Sequence, residues 1–169
     1  MAMRTMGVVP AAVLAALMSS AAIAAAAQAP LALKRIVATR QAEKFTLRIE
    51  LNQKWRNTVL QAGTGTEVRV LYDSTGDSKT DYTGRLVYRN GDLLETIVGG
   101  RNRYEPVPVG RPSQTVAKFT HPVDIMFPNP SKPGTLRITV VVETAGKVDR
   151  LPRKGWFEVP PPPRPTPSG

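Results

Sequence analysis

The chain has 169 residues, 23 Lys and Arg against 13 Asp and Glu for a net charge of +10, 16 prolines and no cysteine. Without Cys there is no thiol nucleophile, no disulfide and no lipid-bearing N-terminal cysteine. A single histidine, His121, excludes a zinc centre built from several imidazoles. The positive balance favours anionic partners, whether polysaccharide, an envelope surface of phospholipid or lipopolysaccharide, or nucleic acid, without selecting one.

The N-terminus reads as a secretory signal. Arg4 gives a positive start, and residues 8–27 then run apolar and alanine-rich except for Ser19 and Ser20. Ala25-Ala26-Ala27 is the better cut site, because cutting after Ala29 would place Pro30 next to the scissile bond. Residues 1–27 are therefore expected to be removed, leaving Gln28 first. The run is interrupted by Pro10 and is too weakly apolar for a retained transmembrane helix. No twin arginine precedes it. The expected protein is bacterial and exported, periplasmic or secreted, with no transmembrane segment after processing. Its mature part keeps 22 basic and 13 acidic residues.

The mature part reads as strands. Residues 31–39 form a weak first strand, and residues 44–52 alternate cleanly, with Phe45, Leu47, Ile49 and Leu51 on one side and Thr46, Arg48 and Glu50 on the other. Residues 67–72 alternate again. Residues 85–89 and 92–98 flank Asn90-Gly91, a strong hairpin signal because both turn residues must take positive φ. Residues 101–112 carry three prolines and read as a loop or edge. Residues 113–120, 136–144 and 155–159 complete about eight strands, with His121-Pro122 in a turn. No helical periodicity occurs. From Pro160 the Pro-rich run favours an extended, disordered tail over a strand. The expected domains are a signal at 1–27, a β-sandwich at 28–159 and the tail at 160–169.

This spacing of short strands and turns resembles the immunoglobulin-like β-sandwich architecture of exported bacterial proteins. Within it, residues 73–81 resemble the Asp-x-Asn-Gly-Asp-Gly calcium loops of dockerins, thrombospondin type 3 repeats and EF-hands. The resemblance implies ligands from Asp73, Thr75, Asp77 and Asp81 and the backbone carbonyl of Lys79. Ser78 stands where such loops have their turn glycine, and Gly84 where EF-hands place a closing Glu. Any calcium affinity is therefore expected to be weak, and a plain polar hairpin turn is the alternative.

Other chemistry is sparse. Glu50, Glu67, Glu95 and Glu143 fall on the polar alternation and read as solvated, so a glycosidase carboxylate pair is not indicated. No Gly-x-Ser-x-Gly nucleophile turn occurs. Trp55 and Trp156 read as core or rim residues. The sharpest basic-aromatic cluster is Arg101, Arg103 and Tyr104, with Arg111 close by, suited to a phosphate or an acidic sugar. The expectation is an exported, non-catalytic binding or structural module for an anionic polysaccharide or envelope surface, without specific nucleic-acid recognition. The alternatives are a ligand-free accessory domain with a weak calcium loop, or a small secreted polysaccharide hydrolase.

Overall fold

The computed structural model describes residues 29–41, 43–99, 102–122 and 135–159. The signal segment 1–27 and the tail 160–169 lie outside the described residues. The described residues fold into two antiparallel sheets, and no helix among them is long and apolar enough to cross a membrane.

In chain order the strands are β1 (Leu33–Arg40), β2 (Lys44–Leu51), β3 (Thr66–Asp73), β4 (Tyr82–Arg89), β5 (Asp92–Gly99), β6 (Asn102–Arg103), β7 (Val107–Pro108), β8 (Gly110–Ser113), β9 (Val116–Pro122), β10 (Leu136–Thr144), β11 (Lys147–Leu151) and β12 (Phe157–Val159). A 3-10 turn at Asn57–Leu60 lies between β2 and β3. The smaller sheet runs β1-β2-β9-β8. The larger runs β11-β10-β3-β4-β5-β6, with β12 also on β10 and β7 also on β5. Variable-type immunoglobulin domains set strands A, B, E and D against G, F, C, C′ and C″. Here β1-β2-β9-β8 against β11-β10-β3-β4-β5 follows the same order, both in space and along the chain.

Alternation builds the core. Phe45, Leu47, Ile49 and Leu51 of β2 and Ala117 and Phe119 of β9 are buried on one inner face. Val68, Val70 and Tyr72 of β3, Leu86 of β4, Leu93 and Ile97 of β5, and Leu136, Ile138, Val140 and Val142 of β10 form the other. Strand β10 is buried on its second face as well. The turn after β11 folds over it, where Thr139 Oγ1 donates to Gly155 O at 3.2 Å and Arg150 Nη2 donates to the same carbonyl at 3.0 Å. This explains the continuous apolar run Val140-Val141-Val142.

The Asn90-Gly91 hairpin is present, with φ of 54° and 91° and Arg89 paired to Asp92. A second tight turn at Ala145-Gly146, φ 51° and 75°, creates β11, which the sequence reading missed because alanine is an unusual residue for positive φ. The expected strand at 113–120 is divided by a turn at Gln114 and Thr115 into β8 and β9. His121-Pro122 is not a turn but the end of β9, paired with Phe45 and Lys44.

Candidate binding surface

The outer faces of the two sheets carry charge differently. On the larger sheet, Glu67 lies 3.6 Å from Arg69 and 3.1 Å from Arg85, and Arg69 lies 3.5 Å from Glu143. Positive and negative groups alternate across β3, β4 and β10, so that face is locally neutralised.

The smaller sheet is not balanced in this way. The outward positions of β2 are Lys44, Thr46, Arg48 and Glu50, the residues between its buried apolar ones. Strand pairing sets Arg48 opposite both Val37 of β1 and Lys118 of β9, Thr46 opposite Thr39 and Thr120, and Arg35 opposite Glu50. A shift of register between Leu33 and Arg35 adds Lys34 to this face, where its Nζ donates to Glu50 Oε1 at 2.8 Å. The face therefore presents Lys34, Arg35, Lys44, Arg48 and Lys118 around one carboxylate. Among the described residues no carboxylate lies within ion-pair distance of Arg48 or Lys118.

Glu50 is held below the usual carboxylate range, first by the hydrogen bond from Lys34 and further by the charges of Lys34, Arg48 and Arg35. It stays ionised and already has a partner. Arg35, Val37, Arg48 and Glu50 enclose a shallow hollow of about 260 Å³. Two arginines and a valine, set against a single carboxylate already paired with Lys34, suit an anionic group attached to a carbon framework. The threonines beside them are themselves joined, with Thr46 Oγ1 and Thr120 Oγ1 2.9 Å apart.

The loop residues expected from the sequence fall elsewhere. Arg101 lies outside the described residues, as does the side chain of Arg103, whose backbone belongs to β6. Tyr104 is half-buried and meets Tyr82 edge-on, ring centroids 5.9 Å apart. The Tyr82 phenol is pushed up, first by burial and then by Tyr104. Arg111 is committed internally. Its guanidinium lies 3.5 Å over the Trp55 ring and donates to Val116 O at 3.1 Å, Asn57 Oδ1 at 2.5 Å, Trp55 O at 3.1 Å and Gln114 O at 2.7 Å. Burial lowers its pKa. Four of its five donors are thus spent on the protein.

The loop at 73–81 is organised by backbone amides. Asp73, fully buried, accepts from Gly76 N at 2.5 Å and Ser78 N at 2.8 Å, and Asp81 accepts from Ser74 N at 2.7 Å and Thr75 N at 3.1 Å. Asp77 accepts from Lys79 N at 2.9 Å, the main reason its pKa is lowered. The cation nearest Asp73 is Arg137, whose Nη1 is 3.8 Å from Oδ2 and donates to Gly76 O at 2.8 Å. Among the described residues no three Asp, Glu or His side chains group as a metal site.

One cluster escaped the sequence reading. Glu95 is not solvated: it points inward between Leu93 and Ile97 and is fully buried. The run Leu93-Leu94-Glu95-Thr96-Ile97-Val98 is apolar in both phases, so alternation alone did not fix which side faces the core. Tyr72 Oη donates to Glu95 Oε1 at 2.8 Å, and His121 Nε2 bonds Glu95 Oε2. His121 Nδ1 has no hydrogen-bond partner among the described residues. A Cβ at Gly84 would collide with Glu95 Oε1, so glycine leaves the room this carboxylate occupies. All three polar residues have zero exposure.

Comparison of the chain with family models, curated proteins and solved structures finds no match.

Proposed function

We propose that this is an exported, non-catalytic β-sandwich that binds an anionic polymer of the envelope or extracellular space through the outer face of its smaller sheet. The observation that carries the reading is the cross-strand pair Arg48 and Lys118, which among the described residues has no carboxylate within ion-pair distance while the opposite outer face is internally paired. Like charges directly opposite each other destabilise a sheet. An anion lying over both removes that repulsion, so the arrangement is costly alone and favourable with a ligand. The burial of Tyr72, Glu95 and His121 supports the non-catalytic reading, because the one acid–imidazole pair here is closed to substrate.

The test is retention on a sulfated polysaccharide matrix over a salt gradient. Screening shortens to about 3 Å at 1 M salt, so the protein should elute before that point. Arg48→Ala with Lys118→Ala should elute at markedly lower salt, and Lys147→Ala with Lys154→Ala should elute close to the parent. Equal elution of the two double variants would overturn the assignment of the face.

A further inference from the structure

We infer that the ligand of this face is a polysaccharide of sugar acids, recognised through its hydroxyl groups as well as its carboxylates. The inference rests on the reading of the face as an anion-binding surface and adds the chemistry of the ligand.

The observation is the row of threonines beside the basic row. Thr46 pairs with Thr120 and Arg48 with Lys118, so four side chains mark the corners of a rectangle on β2 and β9. Opposite side chains in such a pair are about 5 Å apart, and two residues along a strand are about 7 Å apart. That is the footprint of a hexopyranose ring. One edge of the rectangle offers two cations and the other two hydroxyls. The bond between Thr46 and Thr120 uses one hydroxyl proton and one lone pair. One proton and three lone pairs remain, able to donate to and accept from vicinal sugar hydroxyls. Thr39, paired with Thr46 on the other side, extends the row onto β1 and is exposed. Val37, between Arg35 and Arg48 in the hollow, offers an apolar contact for the C–H face of a ring.

The same face argues against nucleic acid. Its outward positions on β1, β2 and β9 hold no aromatic side chain, whereas single strands are held by stacking bases on aromatic rings. A flat sheet face also offers neither the helix nor the ribbon that enters a duplex groove.

The experiment compares three probes by titration at low salt against the full folded chain: polygalacturonate, a hydroxylated polycarboxylate; polyacrylate, a polycarboxylate without hydroxyls; and single-stranded DNA. The variants are Thr46→Val with Thr120→Val, which swaps each hydroxyl for a methyl on the solvent face, and Arg48→Ala with Lys118→Ala. Melting curves confirm folding. Polygalacturonate should bind tightest. The threonine variant should weaken polygalacturonate about 30-fold, the equivalent of about 2 kcal/mol for two lost hydrogen bonds, and leave polyacrylate unchanged. The arginine–lysine variant should weaken both polycarboxylates. Equal loss on both polycarboxylates, or no loss, in the threonine variant overturns the inference while leaving the anion-binding face standing. Tighter binding of DNA than of polygalacturonate identifies nucleic acid as the ligand and overturns it as well. Failure of all three probes to bind overturns the anion-binding reading itself.

Discussion

His121 of the smaller sheet and Glu95 of the larger one are joined, Nε2 to Oε2, across the largely apolar core between the sheets. The imidazole is packed by Phe119 at 5.4 Å, Tyr72 at 6.4 Å and Phe45 at 6.5 Å between ring centroids. Removing one partner strands the other where water cannot reach it. His121→Ala is expected to cost about 3–5 kcal/mol, the range for breaking a buried pair. Replacing both by Leu should cost less than the sum of the single changes. Urea denaturation of the three variants measures this, and additive losses would show that the two residues are not energetically coupled.

Tyr72 adds a pH dependence. Burial, followed by the charge of Glu95, raises its phenol well above the ordinary value. The folded state therefore keeps a proton that the unfolded chain releases near pH 10. Stability is complete below that pH and falls as pH rises above it toward the folded value. Tyr82, also raised, contributes with the same sign. Tyr72→Phe should be less stable at neutral pH by about 1–3 kcal/mol, since Glu95 Oε1 loses its donor. It should also show a shallower alkaline decline. Denaturant midpoints from pH 8 to pH 11 would reveal both effects, and parallel curves would contradict the assignment.

Arg111 and Trp55 predict a second stability effect. The guanidinium ties the β8–β9 turn to the segment after β2 through carbonyls on both sides. Arg111→Ala is expected to lose about 2 kcal/mol or more. Arg111→Lys should not restore it, because an ammonium cannot spread planar donors over four acceptors and a ring. Lys154→Ala, exposed in the turn after β11, serves as the neutral comparison. A lysine variant as stable as the parent would rule out the planar clamp.

For the loop at 73–81, the amide donors to Asp73 and Asp81 lead to a clear expectation about calcium. Melting in millimolar calcium and in chelator should give the same midpoint. Arg137→Ala should lower the midpoint by removing the donor to Gly76 O and the charge beside Asp73, at about 1–2 kcal/mol. A calcium-dependent rise that disappears in Asp77→Ala would instead establish a cation site there.

Much of the sandwich was readable in the residues, because period-two alternation and the Asn90-Gly91 turn are local signals. Phe45 to Leu51 declares its buried side without reference to any partner. The turn at Ala145-Gly146 was hidden by its alanine, and the phase of β5 by apolar residues on both of its sides. The basic face of the smaller sheet was hidden for a different reason. Arg48 and Lys118 are 70 positions apart and meet only through the β2–β9 pairing. A scan for basic runs passes over such a pair, whereas Arg101, Arg103 and Arg111 attract attention by being close in sequence. Arg111 shows the weakness of that signal, since its charge is used inside the fold. Glu95 and His121, 26 residues apart, are legible as partners only after both sheets are in place.

The buried Tyr72, Glu95 and His121 also restrict how the two sheets may lie on each other. Purely aliphatic layers tolerate small sliding, since one methyl group contacts another nearly as well as the next. A carboxylate set among them does not. Any offset that draws His121 and Tyr72 away from Glu95 leaves a desolvated acid without donors, a cost added to the lost packing of the aliphatic part. The energetic contrast between the native alignment and its near neighbours is thus concentrated at one point of the interior. The cluster acts as a locating pin between the layers, setting their alignment more than their adhesion.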